Sequence, residues 1–64
     1  MKYAIYNKPN GETARVHKNS NMPGYTYSIA NAAGIVNESY MTAAWEHADR
    51  ILRNHGFKVF KVVE

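Results

Sequence analysis

Three histidines are the residues of this 64-residue chain that most directly suggest chemistry. His47 and His55 are eight residues apart on a predicted helix, a separation of about 12 Å at 1.5 Å per residue. Two ligands of one ion need a shorter spacing on a helix, or must be brought together by the fold. The chain has no cysteine, which excludes thiolate ligands and disulfides. We therefore predict no metal site and no cofactor. All three histidines, including His17, are expected at the surface or at a helix end.

The residues that could act as nucleophiles, acids or bases are scattered. Ser20, Ser28 and Ser39 fall in a predicted loop, strand and helix cap, and none has the flanking glycines of a nucleophile elbow. Each of the four glycines is isolated and explained by a turn or a cap, so no phosphate-binding loop is present. The carboxylates are not paired: Glu12, Glu38, Glu46, Asp49 and Glu64. No catalytic site is assembled by this pattern, and we predict a protein that is not an enzyme.

Length and composition predict one small domain spanning residues 1–64. A chain of this size buries only about 60% of its unfolded surface, so a deep cavity would remove core that the fold needs. No apolar run is long enough for a signal peptide or a membrane span, which predicts a cytoplasmic protein without membrane contact. The net charge of +3 is compatible with an anionic partner, and the five tyrosines favour strands and contact surfaces.

The predicted centre of the fold is a helix over residues 39–55 followed by a strand over residues 57–63. Ser39 is the predicted N-cap. Apolar residues recur along one face with a period of 3.6, which predicts the buried side of the helix. They are Met41, Ala44, Trp45, Ala48, Ile51 and Leu52.

Gly56 predicts the end of this helix, because glycine adopts the left-handed conformation at low cost. With Gly56 directly after the helix cap, Leu52 and Phe57 occupy the two positions that make the hydrophobic contact of a Schellman motif.

The residues before the helix are predicted to form three short strands, over residues 2–6, 12–18 and 25–30, and a brief extended segment at 35–36. A turn signal in residues 7–11 predicts a hairpin, and residues 19–24 form the longest predicted loop. The predicted fold class is α+β: a small antiparallel sheet, a three-stranded meander plus a C-terminal strand, packed against one helix in the order β-β-β-α-β.

Alternation assigns each strand residue to one of two sheet faces. The predicted core face carries Tyr3, Ile5, Ala14, Val16, Tyr25, Tyr27 and Ile29. The predicted exposed face carries Lys2, Tyr6, Thr13, Arg15, His17, Thr26 and Ser28. In the last strand, simple alternation sets Phe57, Val59, Lys61 and Val63 against Lys58, Phe60 and Val62, so both faces are mostly apolar. Such a strand is central in a sheet, bulged, or half-covered by a partner.

Two functional hypotheses follow. The first is a small non-enzymatic binding protein, an inhibitor or adaptor such as phages and mobile elements encode, or a homodimer. It would contact another protein, or its own copy, through the exposed sheet surface and the final strand, using Tyr6, Phe60 and Val62.

The alternative is a nucleic-acid-binding protein that recognises no particular sequence. Its basic and aromatic strand face would use Lys2, Lys8, Arg15, His17 and Lys18. No small-molecule substrate is expected in either case, because no pocket chemistry is assembled. The chain carries neither the aromatic signature of ribonucleoprotein RNA binders nor a helix-turn-helix pattern.

Overall fold

The structure is a computed structural model that describes residues 2–64. It contains a five-stranded antiparallel sheet in the order β4-β3-β2-β1-β5, with one helix on one face. The predicted α+β class is confirmed, but the elements follow the order β-β-β-β-α-β. Their bounds are β1 Tyr3–Asn7, β2 Thr13–Lys18, β3 Tyr25–Ala30, β4 Val36–Thr42, α1 Trp45–Asn54 and β5 Lys58–Val63. We call the sheet face under α1 the helix face and the opposite face the open face.

The fourth strand occupies residues that were predicted to begin the helix. Strand β4 pairs with β3 along its length, and the Tyr40 ring packs on the Tyr27 ring with centroids 5.2 Å apart. Backbone pairing and this aromatic contact decide the conformation of a segment whose own helix signal is weak. Ser39 is therefore a strand residue and not the N-cap. The helix begins after Ala44, which makes no side-chain capping hydrogen bond.

The register of the first hairpin decides which side of β1 is buried. Asn7 pairs with Thr13 across a five-residue loop, and this places Ala4 opposite Val16 and Tyr6 opposite Ala14. Since paired residues share a face, the clear pattern of β2 determines that of β1. The predicted inward placement of Tyr3 and Ile5 is wrong: both lie on the open face, while Ala4 and Tyr6 are fully buried.

The core lies between the helix face and α1, which packs over β2, β3 and β4. The inward predictions for β2 and β3 are confirmed, because Ala14, Val16 and Tyr27 are buried and Tyr25 and Ile29 pack against them. Within residues 2–64 the helix has only ten residues, and no helix is long and apolar enough to cross a membrane. The buried residues are Ala4, Tyr6, Ala14, Val16, Tyr27, Ala48, Leu52 and Phe57.

The predicted Schellman motif at the end of α1 is confirmed. The Phe57 N–H donates to the Leu52 carbonyl at 3.0 Å, and the Gly56 N–H donates to the Arg53 carbonyl at 3.0 Å. Gly56 has φ of +92°, and Leu52 and Phe57 are both buried. This cap reverses the chain so that β5 can run antiparallel beside β1.

Strand β5 is an edge strand with a bulge, so one of the three predicted explanations of its pattern is correct. Lys61 pairs with Ile5 and Val59 pairs with Tyr6, which leaves Phe60 as the extra residue. The bulge interrupts the alternation, with the result that Val59 shares the helix face with Val62 while Lys61 lies on the open face. The prediction that Val59 and Lys61 share a face is wrong for this reason.

We expect Gly56→Ala to lower the free energy of unfolding by about 1 kcal/mol, because alanine disfavours positive φ. Urea unfolding measures this change. Gly56→Asn should cost less, since asparagine tolerates the left-handed region. Equal losses for the two variants would contradict a conformational origin.

Candidate functional site

The open face is the side of the sheet that α1 leaves uncovered within residues 2–64. Strand register assigns its members, since residues paired across strands point to the same side. They are Tyr3, Ile5 and Asn7 on β1; Thr13, Arg15 and His17 on β2; Thr26, Ser28 and Ala30 on β3; Val36, Ser39 and Met41 on β4; and Lys58, Lys61 and Val63 on β5.

Positive charge is concentrated on one half of the open face. Lys61 and Arg15 both pair with Ile5, one from each side, and lie about 10 Å apart across two strand spacings. Lys58 occupies the neighbouring position beside Asn7, and His17 lies beside Tyr3. We call Arg15, His17, Lys58 and Lys61 the basic cluster.

Carboxylates are absent from the strand residues of this face. The only acidic residue in the five strands is Glu38, which pairs with Ile29 on the helix face. The other carboxylates lie outside the strands; Asp49, for example, lies 3.0 Å from Arg53, and Glu12 lies 3.6 Å from Lys8. The basic cluster is thus not neutralised by acidic neighbours on its own face, which favours an anionic partner.

Arg15 and Tyr3 form a stacked pair within the basic cluster. The guanidinium carbon lies 4.6 Å from the centroid of the Tyr3 ring, a cation–π distance. The guanidinium covers part of the only Phe, Tyr or Trp ring that the register places on the open face. Arg15 itself is exposed to solvent.

The other half of the open face is uncharged and combines hydroxyl side chains with exposed aliphatic ones. Val36 and Met41 on β4 are 59% and 60% exposed, values high for large apolar side chains. A shallow groove of about 560 Å³ runs between this half and the basic cluster. Its lining includes Ile5, Thr13, Arg15, Ser28, Ala30 and Val36.

The predicted partner-binding residues are not brought together as expected. Phe60 and Val62 are 68% and 43% exposed, and both lie on the edge strand β5. Val62 pairs with Ala4 on the helix face. Tyr6 was predicted to be exposed beside them, but its side chain is fully buried under α1, so that placement is wrong.

The predicted nucleic-acid strip is divided between the two faces. Arg15 and His17 lie on the open face, whereas Lys18 pairs with Tyr25 on the helix face. Lys2 precedes Tyr3 in the alternation and so points to the helix face as well. The Lys8 amine lies 4.9 Å from the Phe57 ring centroid, near the end of α1. These five residues do not form one continuous basic surface.

Sequence reasoning missed the contribution of Lys58 and Lys61 to the open face. Strict alternation separates the two lysines, because they are three residues apart. The bulge at Phe60 returns both to the same side. The signal in the sequence was the excess of apolar residues on both sides of this strand, which alternation alone could not resolve.

The buried tyrosine has a structural role. The Tyr6 hydroxyl donates a 2.6 Å hydrogen bond to Asp49 Oδ1, and Arg53 Nε donates to the same carboxylate at 3.0 Å. Burial, followed by the bond to Asp49 and its negative charge, raises the pKa of Tyr6 to about 12. The nearby Trp45 indole N–H lowers the pKa of Tyr6 and so offsets part of this increase. The indole nitrogen itself has no hydrogen-bond partner among the described residues. The network attaches α1 to β1.

No arrangement typical of a metal centre is found in residues 2–64, where no three His, Asp or Glu side chains cluster. Comparison of the chain with protein-family models, curated proteins and solved structures found no match. The surface described above is therefore the main guide to function.

We expect Tyr6→Phe to lower the free energy of unfolding by about 1.5–3 kcal/mol near pH 7, because it removes a hydrogen bond to a charged group. The pH dependence has a defined sign. Since folding raises the pKa of Tyr6 from 10.0 to about 12, its stabilisation is complete below pH 10 and is lost as the pH rises through about 12. Denaturant unfolding at several pH values measures this. Between pH 10 and about 12, the free energy of unfolding should fall less in Tyr6→Phe than in the wild type.

Tyr40→Phe is the matched control for this prediction. The Tyr40 hydroxyl donates a 2.7 Å hydrogen bond to Glu38, a similar pairing at an exposed position. Water replaces the lost partner there, so we expect no measurable change in stability. Equal destabilisation by the two substitutions would contradict the role assigned to burial of Tyr6.

Proposed function

We propose that this protein is a non-enzymatic binding domain that contacts another protein through the open face. The observation that supports it best is the uncovered sheet face, on which the basic cluster lacks carboxylate neighbours and borders an uncharged half with exposed aliphatic residues. Protein interfaces combine apolar contacts with polar and charged ones in this way. The partner surface should accordingly offer aliphatic contacts flanked by carboxylates. We also propose that the protein acts in the cytoplasm.

A protein partner is favoured over nucleic acid by the kind of apolar residue on the open face. Binding of single strands depends on aromatic rings on which bases stack. Register places one tyrosine and no Phe or Trp on this face, and Arg15 already covers part of the Tyr3 ring, which leaves the smaller imidazole of His17. The exposed residues are instead aliphatic, such as Val36 and Met41. Phosphates could still bind the basic cluster, so nucleic acid remains the second candidate.

Site-specific photo-crosslinking in the source cells tests the proposal. A benzoylphenylalanine residue at Ser28, in the middle of the open face, should capture a defined protein. The same residue at Arg50, exposed on α1, should not capture that protein. Equal capture from both positions would contradict binding by the open face, and capture that nuclease abolishes would replace the protein hypothesis with the nucleic-acid one.

Charge reversal then tests the basic cluster with a matched pair of variants. Arg15→Glu and Lys18→Glu lie on the same strand and change the charge equally, but their side chains point to opposite faces. Arg15→Glu should reduce the yield of the Ser28 crosslink about tenfold or more, the effect of losing a charge-assisted contact. Lys18→Glu should leave the yield unchanged. An equal effect of both variants would point to net charge and not to this surface.

A further inference from the structure

The two edges of the sheet differ in how well they are protected from pairing with another strand. Strand β4 is seven residues long and exposed over most of its length. It contains no lysine, arginine or proline, the residues that most often discourage edge pairing. Four of the eight large apolar side chains exposed in the described residues lie on or beside this edge: Ile35, Val36, Tyr40 and Met41.

The opposite edge carries the positive charge that β4 lacks. Strand β5 contains Lys58 and Lys61. Both edge strands have one bulge, at Phe60 in β5 and at Asn37 near the start of β4. Two copies paired through β5 would set lysines about 5 Å apart when the two-fold axis lies at Lys58, at Lys61, or between Val59 and Phe60. Like charges facing each other across a strand pair are destabilising. Self-association through β5 is therefore disfavoured in these registers.

Pairing through β4 keeps the basic clusters apart. In a sheet continued from β4 to β4, the two copies of Arg15 would be five strand spacings, or about 24 Å, apart. That exceeds the screening length of about 10 Å at 0.1 M salt. The acidic side chain of β4 is also accommodated: with Ser39 at the two-fold axis, Glu38 of one copy lies opposite Tyr40 of the other. No like charges then meet at the junction.

We propose that two copies of this chain associate through antiparallel pairing of their β4 strands, forming a continuous ten-stranded sheet. The pairing uses peptide groups of β4 that point away from β3, which an edge strand leaves unpaired. A two-fold axis perpendicular to the sheet makes the interface self-complementary, as a closed dimer requires. This inference does not depend on the proposed function, since the dimer would be held by edge peptide groups of β4, whereas the proposed partner contacts side chains on the open face.

Ser39→Lys and Ser28→Lys form a matched pair for testing the interface. The two serines face each other across β3 and β4 on the open face, but only Ser39 lies on the edge. Sedimentation equilibrium should show a dimer for the wild type. Ser39→Lys should raise the dissociation constant at least about tenfold through charge repulsion between the copies. Ser28→Lys should leave it unchanged, because its lysines would be about 14 Å apart.

Distances between spin labels identify which strands pair. The chain has no cysteine, so Lys61→Cys and Ser39→Cys each provide a single attachment point. The β4 dimer predicts about 40 Å between labels on β5, across nine strand spacings, and a short distance between labels at Ser39. A short distance at Lys61 would overturn the proposal. So would a wild-type monomer at about 1 mM, where an association of only about 4 kcal/mol would be visible.

Discussion

The register of the first hairpin is the constraint on which the arrangement of this protein depends. A five-residue loop sets Asn7 opposite Thr13, and every other pair of β1 and β2 follows from that one. Had the loop been one residue shorter or longer, the two faces of β1 would be exchanged. The observed register places Tyr6 under the helix, where it meets Asp49, and leaves Tyr3 beside Arg15 on the open face.

The end of the helix determines where the last strand joins the sheet. The Schellman motif around Gly56 turns the chain directly from α1 into β5, with Phe57 buried against the core. Strand β5 then pairs with β1, but the bulge at Phe60 lets Val59 and Val62 face the core side while Lys58 and Lys61 face the open side. A short irregularity thus provides core packing and surface charge from a six-residue strand.

The acidic residue of the strands and most of their basic residues lie on opposite faces of the sheet. A net charge of +3 is modest, but the strands place their only acidic residue, Glu38, on the helix face. The remaining carboxylates lie in the helix, in the first hairpin loop and after β5, where some of them pair with basic neighbours. An open face with uncompensated cations has a local potential that the whole-chain charge understates.

Local signals in the sequence determined the fold class, β2, β3 and the cap at Gly56. In each of these the pattern is unambiguous: Ala14 and Val16 alternate with polar residues, and Gly56 has the conformational freedom that the helix end requires.

Only the tertiary structure decided β4, the buried side of β1 and the grouping of Lys58 with Lys61. Residues 36–42 have a weak preference of their own, so pairing with β3 made them a strand. Strand β1 is apolar on both sides, and its register with β2, a contact between different segments, selected the side that carries Tyr6. The bulge likewise exists only in relation to β1. These features depend on contacts between strands, and the periodicity of a single segment does not contain that information.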